Sequence, residues 1–371
     1  MVNVNRLRTM DEPTRRRTQA GRVSGWRLGA VLMLLALAAL AVWAALAWFG
    51  GGREAARTSR AERSSCPLPA EPAGAAHPGK VWVPGGRFAL GDTVYREEQP
   101  LRDTTVAGFW IDRTEVTNAQ FAAFVKATGH VTTAERAVDL RQHPGLPPAL
   151  QQPGAVVFTM PNDVQGRGDI TQWWRYVPGA SWRQPQGPGS SIEGRGDFPV
   201  VAVTREDALA YARWAGATLP TEAQWEWAAR AAQPTAQPTA RPAHEQPRQA
   251  NTWQGLFPVV NSADDGFVGL APVGCYEPNA LGLFDMIGNA WELTLDVWTP
   301  DHSGPQGPPP PDAVPADLRP GSATQVVIKG GSFLCAPNYC MRYRAGARQA
   351  QDADLGTSHV GFRTVLNAPG P

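Results

Sequence analysis

Two thiols lie close together in the stretch KGGSFLCAPNYCMRYRAGAR, Lys329–Arg348: Cys335 and Cys340, with Arg342, Arg344 and Arg348 just behind them. The whole chain has only four cysteines, the others being Cys66 and Cys275. Three chemistries suit such a pair. A disulfide would persist in an oxidising compartment, although closing so short a loop stabilises little on loop-entropy grounds. A zinc half-site would need a second pair of ligands, which Cys275 alone does not supply. A redox-active or metal-binding dithiol is the third: two thiolates suit Cu(I), a soft ion satisfied by few ligands, and nearby guanidinium groups favour thiolate over thiol. Residue types and spacing leave the disulfide and the active pair open.

The elements that must position this loop are short. VWVPGGRFALG reads as a strand, a Pro-Gly-Gly turn and a second strand, and GFWIDRTEVT as another strand. Three amphipathic helices are predicted. NAQFAAFVKATG has Asn118 as N-cap and Gly129 at its end. TREDALAYARWAGA is capped by Thr204 with Glu206 and Asp207 in its first turn. PTEAQWEWAARAA is capped by Thr221, with Gln224 completing a capping box. Two stretches rich in Pro, near residues 231–249 and 302–321, read as surface insertions. Three short helices in so long a region, with 38 Gly, 35 Pro and 14 Trp in the chain, point to an α+β domain with little regular secondary structure.

Net charge is +1, with no long basic run beyond the N-terminus, which argues against nucleic acid as a partner. Leu28–Gly50 carries no charge, and about 20 apolar residues suffice for a helix to cross a bilayer. Trp26, Trp48 and Phe49 sit at its edges, and the arginine excess lies on the N-terminal side. The expected organisation is therefore a basic cytoplasmic tail (1–27), a single transmembrane helix (28–50), a flexible linker (51–78) and an extracytoplasmic domain (79–371). A cleaved signal peptide would carry a shorter apolar core.

Further segments occur in one order: VWVPGGRFALG, DRTEVTNAQFAAFV, PVVAVTREDALAYARWAGATLPTEAQWEWAAR, GLFDMIGNAWELTLDVW, VIKGGSF and HVGFRTV. This series resembles the formylglycine-generating enzyme (sulfatase-modifying factor) family from Lys80 to Leu366. GGSFLCAPNYCMRYR, NTWQGLFPVVNSADDGFVGLAPV and WWRYVPGASWRQPQGP resemble its oxidase branch in particular. The resemblance implies a variant C-type-lectin-like fold. It also implies an activity: oxidation by O2, with Cu(I), of one cysteine in a Cys-x-Pro-x-Arg motif of an unfolded sulfatase to Cα-formylglycine.

By the same resemblance, Cys335 and Cys340 hold copper as a bis-thiolate that the substrate cysteine joins, and Ser332 lines the oxygen site. A cycle through a disulfide with the substrate thiol is the other reading of the pair. Tyr339 and Arg342 would shape the substrate groove, Trp173 would line it, and Asp139 would receive the substrate arginine, although the family's companion serine is Leu140 here. Two structural calcium sites are implied. One takes Asn251, Asp265 and the carbonyls of Thr252 and Phe267; the other takes Asp285, Glu292 and the carbonyls of Gly288 and Ala290. Cysteines that some relatives carry are Ala212, Ala345 and Thr364 here. Cys275 is therefore expected as a buried free thiol and Cys66 as an exposed one in the linker.

Two other classes are weighed. A non-catalytic binding module of the cell envelope could keep the same scaffold. An iron-dependent oxidase on this scaffold would need a His cluster, and His77, His130, His143, His244, His302 and His359 are scattered.

Overall fold

The computed structural model describes residues 65–70 and 75–370, apart from 139, 141–144, 167, 234–246, 248, 305–323 and 368. The chain divides into two compact units, Met1–Thr58 and Ser59–Pro371. The first unit, and with it the expected tail and membrane span, lies outside the described residues. Among the described residues no helix is long and apolar enough to cross a membrane.

The second unit is built from short strands and long connections around three helices. Strands β1 (Lys80–Val83) and β2 (Gly86–Leu90) flank the Pro-Gly-Gly turn, but they do not pair with each other. β1 pairs with β4 (Phe109–Asp112), which also takes β11 (Val365–Leu366). β2 pairs with β3 (Arg102–Val106). A hairpin joins β5 (Gly154–Phe158) to β6 (Trp174–Pro178). The largest sheet has the order β10-β7-β8-β9, from β7 (Trp291–Val297), β8 (Gln325–Lys329), β9 (Arg348–Asp352) and β10 (Val360–Gly361).

Helix α1 spans Asn118–Thr128, α2 Arg205–Trp214 and α3 Glu222–Ala229. Each begins at a threonine whose hydroxyl accepts an N–H three residues on, while that residue's side chain accepts the threonine N–H: Thr117 with Gln120, Thr204 with Asp207, Thr221 with Gln224. The cap of α1 is thus Thr117, one residue before the expected Asn118, whose amide instead donates to the Arg195 carbonyl at 2.9 Å. Gly129 ends α1 at φ +70°, as expected. α1 and α2 pack through Phe121, Phe124 and Tyr211 onto Trp291, Ile328 and Phe362, and α3 packs through Trp225 and Trp227 onto the N-terminal strands.

The expectation for the two isolated cysteines is corrected. Cys66 and Cys275 form a disulfide across 209 positions, with Cα atoms 5.1 Å apart. On the loop-entropy account a bridge closing so long a loop stabilises by about 5 kcal/mol. It fixes residues 65–70 to the domain, where the Pro69 carbonyl also accepts from the Arg113 guanidinium at 3.1 Å.

Candidate active site

The loop that carries the cysteine pair leaves the sheet at Lys329 and returns at Arg348, and these two residues face each other in register across β8 and β9. Both are fully buried cations anchored on α3. Lys329 Nζ lies 3.0 Å from Glu226 and 3.4 Å from Glu222, and Arg348 Nε lies 3.0 Å from Glu222. Burial opposes ionisation of Glu222, but Lys329, His302 and Arg348 overcome it and hold its carboxyl down at about 2. Beyond Lys329, Gly330 turns at φ +96°. A Cβ there would come within 3.0 Å of the Trp225 ring and 3.1 Å of the Met286 carbonyl.

Ser332 is fully buried; its carbonyl accepts the Cys335 N–H at 2.9 Å and its hydroxyl accepts the Leu334 N–H at 3.3 Å. Ala336 and Tyr339 exchange both backbone hydrogen bonds, at 2.9 and 3.0 Å, so residues 335–340 form a tight hairpin. Its ends bring Cys335 and Cys340 to a Cα separation of 5.0 Å with their sulfurs joined. Cys335 is buried and Cys340 half-buried, so the pair presents one closed and one open side.

All three arginines behind the pair are committed to other partners. Arg342 ion-pairs with Glu97 and donates to the Cys340 carbonyl. Arg344 is buried against Asp92 and Glu98, which keep it charged against its burial. Arg348 is held by Glu222 and the carbonyls of Glu97 and Thr299. Their positive charge is balanced by carboxylates, which weakens the expected pull on the thiols. Arg342 is engaged with the segment around Tyr95 rather than with the aromatic residues expected to line a groove.

Those aromatics do assemble. Trp173 and Tyr339 meet edge to face at 6.3 Å, and Tyr339 stacks on Phe257 at 4.0 Å, within a cluster that includes Phe158, Trp253, Phe333 and Ala336. Asn338 fixes Phe257 by bonding both its N–H and its carbonyl. The Trp173 indole N–H is buried without a partner among the described residues. The loop around residues 160–175 borders an open polar depression of about 580 Å³ lined by Met160, Asp163, Asp169, Gln172 and Arg175 among others. Asp139 lies outside the described residues.

The two donors of the cysteine pair are soft, adjacent and unaccompanied by harder ligands. Among the described residues no group of three or more His, Cys, Asp or Glu side chains converges as a metal site. That donor set fits low-coordinate Cu(I) once the sulfurs are reduced, and it does not fit tetrahedral zinc.

The expected calcium ligands fall into two places. Asp265 receives the N–H groups of Thr252 at 2.9 Å and Phe267 at 3.2 Å, so Thr252, Asp265 and Phe267 do come together. Asn251 lies beside them, its amide donating to the Gly269 carbonyl and to Asn289. The same segment reaches the cysteine loop, where the Trp253 N–H donates to the Cys335 carbonyl at 3.1 Å. In the second place Glu292 is gripped by Arg363 at 2.6 and 2.7 Å and accepts from the Trp225 indole at 2.8 Å. Asp285, in the left-handed region at φ 54°, accepts the Gly274 N–H at 2.6 Å. Gly288 and Ala290 lie on the turn between them.

Sequence reasoning missed Glu115. It is fully buried, neither carboxylate oxygen has a hydrogen-bond partner among the described residues, and it feels both Asp285 and Glu292. Burial and those two carboxylates push its carboxyl well up, and burial pushes Asp285 to about 6. Glu115, Asp285 and Glu292 share one buried cation, Arg363, whose ion pair takes up both Glu292 oxygens, so Glu115 and Asp285 are held toward their protonated forms. The only signal in the sequence was an acidic residue between a strand and a helix cap in DRTEVTN.

A family profile described as the sulfatase-modifying factor enzyme 1-like domain matches residues 67–368. The chain belongs to this family. A relative from Mycobacterium tuberculosis named formylglycine-generating enzyme is 47% identical over 77% of this chain and 97% of its own length. A mouse relative named inactive C-alpha-formylglycine-generating enzyme 2 is 34% identical over 79% of this chain and 87% of its own. Among solved structures, PvdO from Pseudomonas aeruginosa superposes with a TM-score of 0.50 at 24% identity, over 77% of this chain and 93% of that one, a likeness of fold. The sulfatase-modifying factor fold thus accounts for the few helices, the small sheets and the long ordered loops.

Proposed function

We propose that this protein oxidises a cysteine of unfolded sulfatases, within a Cys-x-Pro-x-Arg motif, to Cα-formylglycine, using O2 and Cu(I). The observation that carries this reading is the Cys335–Cys340 pair: two sulfurs in one tight hairpin, one buried and one half-open, beside the Trp173–Tyr339–Phe257 wall. Reduced, the pair supplies two thiolates for Cu(I). Bound there, copper would activate O2 and accept the substrate thiol as a further ligand.

The rest is work for the chain itself. The hairpin and its anchors on α3 fix the two sulfurs. Ser332 is buried at the start of the turn, its hydroxyl accepting the Leu334 N–H one residue before Cys335. Of the aromatic group only Tyr339 is partly exposed, and it would offer its ring to an extended peptide, with Trp173 and Phe257 packed behind it. Asp139 is our candidate for the substrate arginine. Calcium at the Asn251–Phe267 loop, and at Asp285, Glu292 and the carbonyls of Gly288 and Ala290, would pin loops that no regular element holds. The N-terminal span would anchor the domain outside the cytoplasm, a placement that the Cys66–Cys275 disulfide supports.

The test is aldehyde formation on a Cys-x-Pro-x-Arg peptide by Cys335→Ser and Cys340→Ser variants. Loss of activity in both is expected; activity surviving in both would overturn the assignment. The joined sulfurs favour one second reading, a non-catalytic envelope module in which the bridge is permanent. A bridge that resists reductant in the folded protein would favour that module.

A further inference from the structure

Cys340 and Met341 occupy the left-handed region in succession, at φ 72° and 47°, although neither is glycine. Such a corner persists only where its surroundings hold it. Two side chains converge on the one carbonyl at this corner. The Tyr95 hydroxyl donates to the Cys340 oxygen at 3.1 Å, and Arg342 Nη1 donates to it at 3.2 Å. The Arg342 guanidinium lies over the Tyr95 ring at 4.3 Å, and its other nitrogen engages Glu97. Tyr95 comes from a segment 245 positions away in sequence, so this contact is made by the fold and not by the hairpin.

We propose that Tyr95 and Arg342 are positioning residues of the cysteine pair, holding the Cys340 carbonyl so that its sulfur stays opposite that of Cys335. The physical consequence is an effective concentration. Released from the corner, Cys340 relaxes toward extended backbone and its sulfur spends less time against its partner. Disulfide closure and two-sulfur chelation of Cu(I) both scale with that local concentration. Only the copper arm of this inference rests on the function proposed above. Arg342 is thereby reassigned from the substrate groove to the support of the pair.

The experiment equilibrates the full-length chain with mixtures of reduced and oxidised glutathione. In it the protein disulfide and two glutathione thiols exchange with two protein thiols and one glutathione disulfide. Trapping thiols by alkylation and reading peptide masses gives the equilibrium constant for each pair separately. Tyr95→Phe removes one hydroxyl and keeps the ring; Arg342→Met removes the second donor. Each is expected to shift the Cys335–Cys340 equilibrium toward the dithiol by about fivefold, the worth of one hydrogen bond, with Arg342→Lys recovering part of the shift. The Cys66–Cys275 pair is the internal reference and should not move. Competition with a chromogenic Cu(I) chelator should show affinity falling by a similar factor.

No shift in Tyr95→Phe and Arg342→Met, or an equal shift in both cysteine pairs, would overturn the proposal and leave the two residues a structural role only. If the wild-type chain binds no Cu(I) while the disulfide equilibrium still shifts, the copper reading fails and the positioning role stands.

Discussion

Two buried charge clusters flank the cysteine loop's framework, and they are balanced differently. In the first, Asp92, Glu98, Glu222 and Glu226 meet Arg230, Lys329, Arg344 and Arg348, four anions against four cations, with no side chain more than 7% exposed. In the second, Glu115, Asp285 and Glu292 meet Arg363 alone. The first cluster compensates its own charge and ties the base of the loop to α3. The second cannot, and Glu115 and Asp285 are pushed toward their protonated forms. Burial thus opposes ionisation of both Glu222 and Glu115, and only Glu222 has cations enough beside it to overcome that.

The largest effect is expected where the balanced cluster is broken. Glu222→Ala would strand Lys329 and Arg348 without their shared partner and destabilise the fold by about 3–5 kcal/mol, read as a fall in the denaturant midpoint. Little change would mean that water reaches the base of the loop and that the cluster is not the anchor described here.

The unbalanced cluster should respond differently. Glu115→Gln replaces a carboxyl that burial already holds toward its neutral form, so the metal-free protein should keep its stability. Calcium at the proposed sites should raise stability by about 3 kcal/mol at a hundredfold excess over its Kd, and the gain should be equal in the variant. Thermal melts with calcium and with a chelator check both parts. Loss of the gain in the variant would make Glu115 a cation ligand.

The smallest effect lies outside both clusters and separates burial from charge pairing. His359 packs on Trp174 at 4.7 Å, and burial lowers its ring pKa to about 3. Because its folded value lies below the unfolded one, near 6.5, its contribution is full above that value and is lost as pH falls toward 3. By pH 5 the loss is about 2 kcal/mol. His359→Phe should flatten stability between pH 7 and 5; an unchanged slope would show that another group titrates there.

How much of this was legible in the sequence follows from the range of each interaction. The cap at Thr204 and the capping box at Thr221 were readable because cap and partner lie three residues apart. The closeness of Cys335 and Cys340 was readable for the same reason, but the hairpin that joins their sulfurs was not read. The β1–β4 pairing, the Cys66–Cys275 bridge and the Tyr95 contact with Cys340 were not, since each joins residues that only the fold brings together. The arginines were read as thiolate-stabilising because their carboxylate partners, Asp92, Glu97, Glu98 and Glu222, lie more than a hundred positions away. Trp173 and Tyr339, both expected to line the substrate groove, pack edge to face. Glu115 escaped notice because a lone acidic residue before a helix usually faces water.

The proposed role of Cys335 and Cys340 is that of a reducible pair that holds Cu(I). Its most direct test is to reduce the full-length protein, load it with Cu(I), and follow a Cys-x-Pro-x-Arg peptide by mass in air. The account expects the peptide to lose about 18 Da, the difference between CH2–SH and CHO, with external thiol supplying the remaining electrons for O2. A peptide of unchanged mass, with copper bound and calcium present, would contradict it.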